Sequence, residues 1–270
     1  MSSEPRLLTI AGSDSGGAAG LQADLKTFAV LGAYGMSVTT LLTAQNSLGV
    51  QAVHALPVDF VAGQLEAILA DLGVDSLKTG LLGRIEIIEM VASKLANVTC
   101  PKVIDPVIVN GKGERIVETG VLEAYQQLFA QASLITPNLR EAQHFSGVNI
   151  KEPKDMAQAA QVMLASGAQA VLVKGGYLPE RAGLDCLCMA GKAPVWLEDD
   201  MVVTPNTHGT GCTLAAACAT YLATQSDIEQ AVRHAKAFVS RAIVAGAKRT
   251  LGQGRGPVKH TWQQYPQHRD

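Results

Sequence analysis

Hydrophobic positions in this chain fall into two kinds of run that alternate. Short blocks rich in Leu, Ile, Val and Thr occur at Leu7–Ala11, Ser37–Thr43, Ser76–Thr79, Val103–Asp105, Leu134–Thr136 and Ala170–Lys174. Their length and turn-forming flanks predict buried strands. Between them lie longer segments with apolar residues three and four apart, as in Pro57–Asp71, where Phe60, Val61, Leu65, Ile68 and Leu69 recur. Such segments predict helices there and over Gly20–Leu31, Ile85–Leu95, Val121–Ala130, Asn138–Phe145, Pro153–Ser166, Gly209–Thr224 and Ile228–Lys248. Leu184–Thr204 reads as a β-hairpin or two edge strands. Strands separated by helices require βαβ crossovers, hence an α/β fold with a mostly parallel sheet covered on both faces. No change in composition and no internal repeat divides the chain, so a single domain over residues 1–270 is expected. In open sheets of this kind, ligands sit at the carboxyl ends of the strands.

Composition narrows the class. The 47% hydrophobic content supplies a substantial core, and 4% aromatic residues imply that it is packed mainly with aliphatic side chains. A net charge of −2 gives no electrostatic case for nucleic acid or an anionic membrane. Five cysteines, an odd number with no CxxC pair, argue against a disulfide framework or a structural zinc site and for a reducing, cytoplasmic setting. The opening segment lacks the basic and apolar regions of a signal peptide. Leu214–Leu222 is apolar but far too short to span a bilayer.

Two glycine-rich segments stand where a strand gives way to a helix. Gly12-Ser-Asp-Ser-Gly-Gly-Ala-Ala-Gly20 follows the first strand, and its small residues let backbone amides approach a ligand. It is not a Walker loop, since no Gly-Lys-Ser/Thr closes it, and a plain tight turn is the competing reading. Asp24, one turn into the next helix, suits the helix dipole without any further role. Thr207-His-Gly-Thr-Gly-Cys-Thr213 opens an apolar helix. Its two glycines and free N–H groups make an anion hole fit for a transferring phosphoryl group. Cys212 falls in the first helical turn, where the dipole is expected to lower its pKa and suit it to act as nucleophile or base. The bland alternative is a helix cap with an inert thiol, which fits Cys218 better.

Polar residues also end several of the apolar strands. Asp105, Asn138 with Glu141 three residues on, and Lys174 before Gly175-Gly176 occupy such ends. Two carboxylates able to share a hydrated Mg²⁺, with a lysine beside a glycine pair, form a plausible nucleotide-phosphate site. Gln45-Asn46 either presents paired donors and acceptors to a heterocycle edge or forms a turn. Five of the six histidines are scattered without ligand spacing and read as surface or structural, and His208 as shaping its loop.

Taken together, these segments resemble the bacterial hydroxymethylpyrimidine/phosphomethylpyrimidine kinases. Thr9-Ile-Ala-Gly-Ser-Asp-Ser-Gly-Gly-Ala-Ala-Gly-Leu-Gln-Ala-Asp-Leu-Lys26 is similar to the family's opening motif. Gly32–Ser37, Ala44–Asn46, Lys78–Leu82, Ile104–Val107, Ile135–Ala142, Val173–Gly176, Asn206–Thr213 and Gly254–Val258 follow in the family's order. The resemblance implies a ribokinase-like fold with a small lid. It implies phosphorylation of 4-amino-5-hydroxymethyl-2-methylpyrimidine by MgATP, then of the monophosphate, toward thiamine diphosphate, by a homodimer. Gly12, Asp24 and Gln45 would line the pyrimidine pocket, with Leu81 and Val107 as apolar walls. Asp105 and Glu141 would organise Mg²⁺, and Asn138, Lys174, Thr207 and Lys236 would lie at the nucleotide. Gly209, Thr210 and Gly211 would form the anion hole, and Cys212 would take the hydroxyl proton.

Some positions depart from the family pattern. Leu81 replaces a common Met, and Ala18 replaces a glycine, which implies that this position needs no positive φ. Lys112 is shifted within its loop relative to many members. The nearest rival is a pyridoxal kinase, whose hydroxymethyl chemistry is similar. A non-catalytic relative is countered by intact Asp105, Glu141, Lys174 and Cys212. A cysteine hydrolase would need a histidine partner, and only His208 is near in sequence.

Overall fold

The computed structural model describes residues 4–108, 120–176, 178, 181–225 and 227–262. Lys112 and its loop lie outside them. Nine strands form one sheet: β1 (Arg6–Asp14), β2 (Tyr34–Asn46), β3 (Gly49–Ala55), β4 (Ser76–Thr79), β5 (Lys102–Ile104), β6 (Leu134–Ile135), β7 (Ala170–Val173), β8 (Asp185–Met189) and β9 (Val195–Leu197). Their spatial order is β3-β2-β1-β4-β5-β6-β7-β8-β9. The central strands β2, β1, β4, β5, β6 and β7 run parallel, while β3 at one edge and β8 and β9 at the other pair antiparallel. The expected mostly parallel sheet and the hairpin inside Leu184–Thr204 are both present.

Side-chain alternation divides the interior into two aliphatic cores, because successive strand residues point to opposite faces. On one face Leu8, Ile10, Leu77, Ile104, Ile135 and Val173 pack against α2 (Val58–Asp71), α3 (Ile85–Leu95), α4 (Val121–Phe129), α5 (Leu139–Ser146) and α6 (Pro153–Leu164). On the other, Leu7, Val103, Leu134 and Leu172 meet α1 (Gly20–Val30), α7 (Thr210–Thr224) and α8 (Ile228–Gly246). Lys78 follows Leu77, Asp105 follows Ile104 and Lys174 follows Val173, all three neighbours belonging to the first core. The alternation therefore aims those three polar side chains at the face that carries α1 and α7.

One element escaped the sequence reading. Strand β2 runs on to Asn46 and turns into β3, whose seven residues are all exposed. Gln45 accordingly sits in a ladder opposite Val50 rather than in a turn. Ala18 has no positive φ, as its replacement of glycine implied.

The chain's end is tied back over the start of α7. His208 N–H donates to the Gly256 carbonyl at 3.0 Å, Val258 N–H to the His208 carbonyl at 3.4 Å, and Arg255 N–H to the Ser47 carbonyl at 3.0 Å. Buried Asn206 fixes the turn below: its Nδ2 donates to the carbonyls of Gly246 (2.9 Å), Ala247 (3.2 Å) and Arg249 (2.7 Å). Removing it takes a buried donor from three carbonyls, of which Gly246 keeps the Arg249 N–H and Ala247 the Thr204 hydroxyl, at a cost of about 1–3 kcal/mol. Asn206→Ala is therefore expected to lower the thermal unfolding midpoint by several degrees. An unchanged midpoint would contradict the assigned role of this clamp.

Candidate active site

Helix α7 begins at Gly209, which caps it with φ 83° and ψ −1°. A β-carbon at this position would stand 1.8 Å from the Ala18 carbonyl oxygen. Only glycine permits both the left-handed backbone and this approach, so the second glycine loop is pressed directly onto the first. The Thr210 N–H donates to the Thr207 carbonyl at 3.3 Å, which leaves the Gly211 and Cys212 N–H groups of the first turn beside the carboxyl ends of β4, β5 and β7. A β-carbon on Gly211 would lie 3.4 Å from Lys174 Nζ, which places that ammonium at the helix start. The side chains of Thr207 and Thr210 hold the loop's shape. Thr210 Oγ1 donates to the Thr207 carbonyl at 2.8 Å, and Thr207 Oγ1 accepts from the Arg255 guanidinium at 2.7 and 3.0 Å.

Of the two readings of the first glycine loop, the structure favours the tight turn. Asp14, almost fully buried, accepts from three of its amides: Gly16 at 2.8 Å, Ala18 at 2.9 Å and Ala19 at 2.8 Å. Those N–H groups are spent within the protein, so this loop shapes the floor of the site and offers no anion hole of its own. Gly12, also buried, packs against Leu41. Gln45 lies at the loop's edge. Its Nε2 donates to His208 Nε2 at 3.0 Å, which requires that ring nitrogen to be unprotonated. Burial, which lowers the His208 pKa, agrees. Leu81 and Val107 are half-buried at the ends of β4 and β5.

Beneath the anion hole is a cluster of buried charges. Lys174 Nζ donates to Asp105 Oδ1 at 2.9 Å, and Thr136 Oγ1 donates to the same oxygen at 3.0 Å. Glu141 and Asn138 form the capping box of α5: the Glu141 N–H donates to Asn138 Oδ1 at 2.9 Å, and the Asn138 N–H to Glu141 Oε2 at 2.8 Å. Burial pushes the Glu141 carboxyl up to about 7 and Asp105 adds to this, against the pull of Lys174. On the other side, Lys78 and Asp24, both without exposed surface, pair at 2.8 Å, and Thr9 Oγ1 donates to the same Asp24 oxygen at 2.6 Å. Asp24 thus belongs to a closed ion pair, with no surface open to a pocket.

Cys212 stands between these groups, and here the sequence expectation is reversed. Its side chain keeps some exposure, but the protein packed around the sulfur desolvates it. That burial pushes the thiol up to about 11, in spite of Lys78, and Asp24 and Asp105 act in the same direction as burial. The Gly20 N–H donates toward the sulfur and pulls the other way, too weakly to restore an ordinary value. Desolvation of an anion outweighs the helix dipole when the first turn is enclosed. Cys218, deeper in α7, is buried with a raised pKa, as expected of an inert thiol.

Lys236 is held apart from this cluster. Its Nζ donates to Asp185 Oδ2 at 2.6 Å and the Gly183 carbonyl at 2.9 Å, with Asp199 at 3.8 Å. Asp185 in turn accepts from the Gly175 N–H at 2.9 Å. Lys236 therefore reaches the glycine pair after Lys174 only through Asp185. The described surface has a cavity of about 210 Å³ between α4, α5 and α6, lined by Phe129, Phe145 and Met163, and one of about 160 Å³ beside Lys236 and Trp196. Neither is lined by the helix start at Gly209–Cys212. Lys78, Thr136, Arg255 and the His208–Gln45 contact were missed as parts of the site. A lysine inside a short aliphatic strand, as in Ser76–Thr79, was the available signal.

A parallel sheet whose strand ends bring a lysine, carboxylates and a thiol to a glycine-capped helix start has the plan of a ribokinase-like kinase. The match to the family model for phosphomethylpyrimidine kinase runs over residues 14–259. The hydroxymethylpyrimidine/phosphomethylpyrimidine kinase of Streptomyces coelicolor is 45% identical over 259 residues, 96% of this chain and 95% of that one. Among solved structures, an ADP complex of Bacillus subtilis pyridoxal kinase matches with a TM-score of 0.89 at 40% identity, covering 96% of this chain and 98% of that one. A phosphomethylpyrimidine kinase from Clostridium difficile matches with a TM-score of 0.80 at 36% identity, covering 89% and 100%. The chain belongs to the phosphomethylpyrimidine kinase family.

A thiol raised to about 11 is protonated at neutral pH. Alkylation of Cys212 by iodoacetamide, followed on its peptide by mass spectrometry, is expected to be slow at pH 7 and to rise by about tenfold per pH unit, since the thiolate is the nucleophile. A rate already on its plateau at pH 7 would contradict this assignment.

Proposed function

We propose that the protein transfers the γ-phosphoryl group of ATP to the hydroxymethyl group of 4-amino-5-hydroxymethyl-2-methylpyrimidine. It then phosphorylates the monophosphate, giving the pyrimidine diphosphate used to make thiamine diphosphate. The observation that carries this reading is the helix start at Gly209–Cys212, with Lys174 at its side, in a chain of this family. Phosphoryl transfer asks mainly for positioning and for charges aimed at the transferring group. The amides of Gly211 and Cys212 would supply donors, and Lys174 a cation. Gln45, Leu81, Val107 and Gly12 would receive the pyrimidine, and Asn138 with Lys174 the nucleotide phosphates. Lys236 acts at one remove, by bracing the Gly175 turn through Asp185.

The donor set fits a magnesium ion that keeps much of its water. Asp105 and Glu141 are hard oxygen ligands, and a bound cation would favour the ionised form of Glu141, which burial and, to a lesser degree, Asp105 push up to about 7. Among the described residues no group of three such side chains converges, so the remaining ligands would be waters and phosphate oxygens, as magnesium prefers. The ion would neutralise phosphate charge. Asp105 and Glu141 would hold it, and Thr136 would fix the Asp105 carboxylate.

Cys212 would take the proton of the attacking hydroxyl. A base of such high pKa is strong but sparsely ionised, so it assists a proton transfer that a loose transition state needs only late. In the second phosphorylation the attacking phosphate oxygen is already ionised and leaves no proton to remove.

Two further expectations have support. All five cysteines are free thiols, although Cys186 and Cys188 lie with their sulfurs 3.7 Å apart, which favours a reducing, cytoplasmic setting. Strand β3 presents a bare edge with exposed Leu48, Val50 and Val53, a surface that a second copy would cover in the homodimer.

The similarity to pyridoxal kinases sustains one alternative, a kinase of the pyridoxal hydroxymethyl group. Specificity constants from ADP release, with products separated and identified, decide between them. The pyrimidine is expected to lead by at least about tenfold, or about 1.4 kcal/mol of transition-state discrimination. A preference for pyridoxal would overturn the substrate assignment.

A further inference from the structure

The pair Asp24–Lys78 is unusual for its incompleteness. Both side chains are entirely buried. An ammonium carries three donors, yet among the described residues Lys78 Nζ makes one hydrogen bond, to Asp24 Oδ2. Asp24 crowds two donors, Lys78 and Thr9, onto that one oxygen, while its Oδ1, equally buried, has no partner. Buried ion pairs offset their desolvation only when the remaining lone pairs and protons are also satisfied. A pair left this open is poor as a purely structural device, and the spare capacity of both members needs another explanation.

Its place in the fold supplies one. Lys78 comes from β4 and Asp24 from α1, and both lie on the face of the sheet that packs against α7. The groups that act on the Cys212 thiol come from four elements: Lys78 on β4, Asp24 on α1, Asp105 after β5 and Lys174 after β7, with the Gly20 N–H at the start of α1. Of the two ammoniums, Lys174 is bound to Asp105 in the phosphate-facing cluster. Lys78, without exposed surface, comes from β4, against which α7 packs, and its charge acts on the thiol at the start of α7. Burial opposes its charge, but Asp24, Cys212 and Asp105 together outweigh that and keep its pKa above the ordinary lysine value.

We infer that Lys78 is a positioning residue for Cys212, its ammonium anchored on Asp24 to face the thiolate that forms when the thiol gives up its proton. This rests on Cys212 as the proton acceptor of the first phosphorylation. In the resting enzyme the thiol proton leaves to solvent. The thiolate then takes the proton of the substrate hydroxyl as its oxygen bonds to the transferring phosphorus and the bond to ADP breaks, so the thiol is restored and no net charge is stored. Lys78 stays protonated throughout. It makes no contact with substrate, and its spare N–H groups are the ones left to meet a sulfur anion.

Removing one partner of the pair would leave a lone buried charge and risk unfolding, so the test neutralises both. The variant Lys78→Met/Asp24→Asn is first checked for a cooperative thermal transition. Its Cys212 alkylation is then measured against pH, peptide by peptide, beside the unmodified protein. Lys78 lowers the thiol's pKa more than Asp24 raises it, so losing both predicts a profile displaced to higher pH, with an alkylation constant about two- to fivefold lower at pH 8. The pH profile of the first phosphorylation is expected to move the same way while that of the second stays in place. A folded variant with an unchanged alkylation profile would overturn the inference and leave the pair structural. A displaced profile with both phosphorylations affected equally would keep Lys78's effect on the thiol but remove Cys212 as the base. Should the double variant fail to fold, the ¹³Cε resonance of Lys78 in the unmodified protein takes its place. It is expected to shift with the midpoint of Cys212 ionisation and to lose that transition in Cys212→Ser, and a resonance indifferent to the thiol would overturn the inference.

Discussion

Everything at the carboxyl edge of this sheet depends on how buried charge is balanced there. Three carboxylates, Asp24, Asp105 and Glu141, and two ammoniums, Lys78 and Lys174, are held in little space with little water. In such surroundings a charge persists only when an opposite charge or a set of hydrogen bonds compensates it. The two lysines fix one carboxylate each, and burial pushes both Asp24 and the third carboxylate, Glu141, toward the neutral form.

The backbone provides the complementary half. Gly209 allows α7 to start against the Ala18 carbonyl, so two loops distant in sequence share one floor. Asp14 ties up amides of the first loop, while the Gly211 and Cys212 amides of the second stand at the open start of α7. The returning tail, through Gly256, Val258 and Arg255, clamps the second loop and reaches Ser47 at the tip of the β2–β3 turn. The anion hole is rigid because three separate parts of the chain converge on it.

Much of this was legible in the sequence, for reasons that also mark where legibility ended. The βα alternation and the positions of Asp105, Glu141 and Lys174 follow from local periodicity, and strand ends in parallel sheets collect ligands. Strand β3 was missed because none of its residues is buried, so Gly49–Ala55 carries no core-facing pattern, and pairing with β2 alone makes it a strand. Lys78 passed as part of a motif, since its role rests on Asp24, a partner 54 residues away. The shift of Cys212 was assigned the wrong sign because the helix dipole is a local property, whereas burial is conferred by α1 and β4. The Asp14 loop was left between two readings for a similar reason: a glycine-rich turn looks the same in sequence whether its amides face a ligand or a neighbouring carboxylate.

The account turns on Cys212 as a proton acceptor needed for an alcohol and unnecessary for a phosphate. Its most direct measurement is the single-turnover rate of each phosphorylation in Cys212→Ala, started separately from the pyrimidine alcohol and from its monophosphate. The first is expected to fall within the range of about 10²–10⁴-fold that a general base contributes, with the second close to that of the unmodified enzyme. Equal losses in both, or no loss in either, would contradict it.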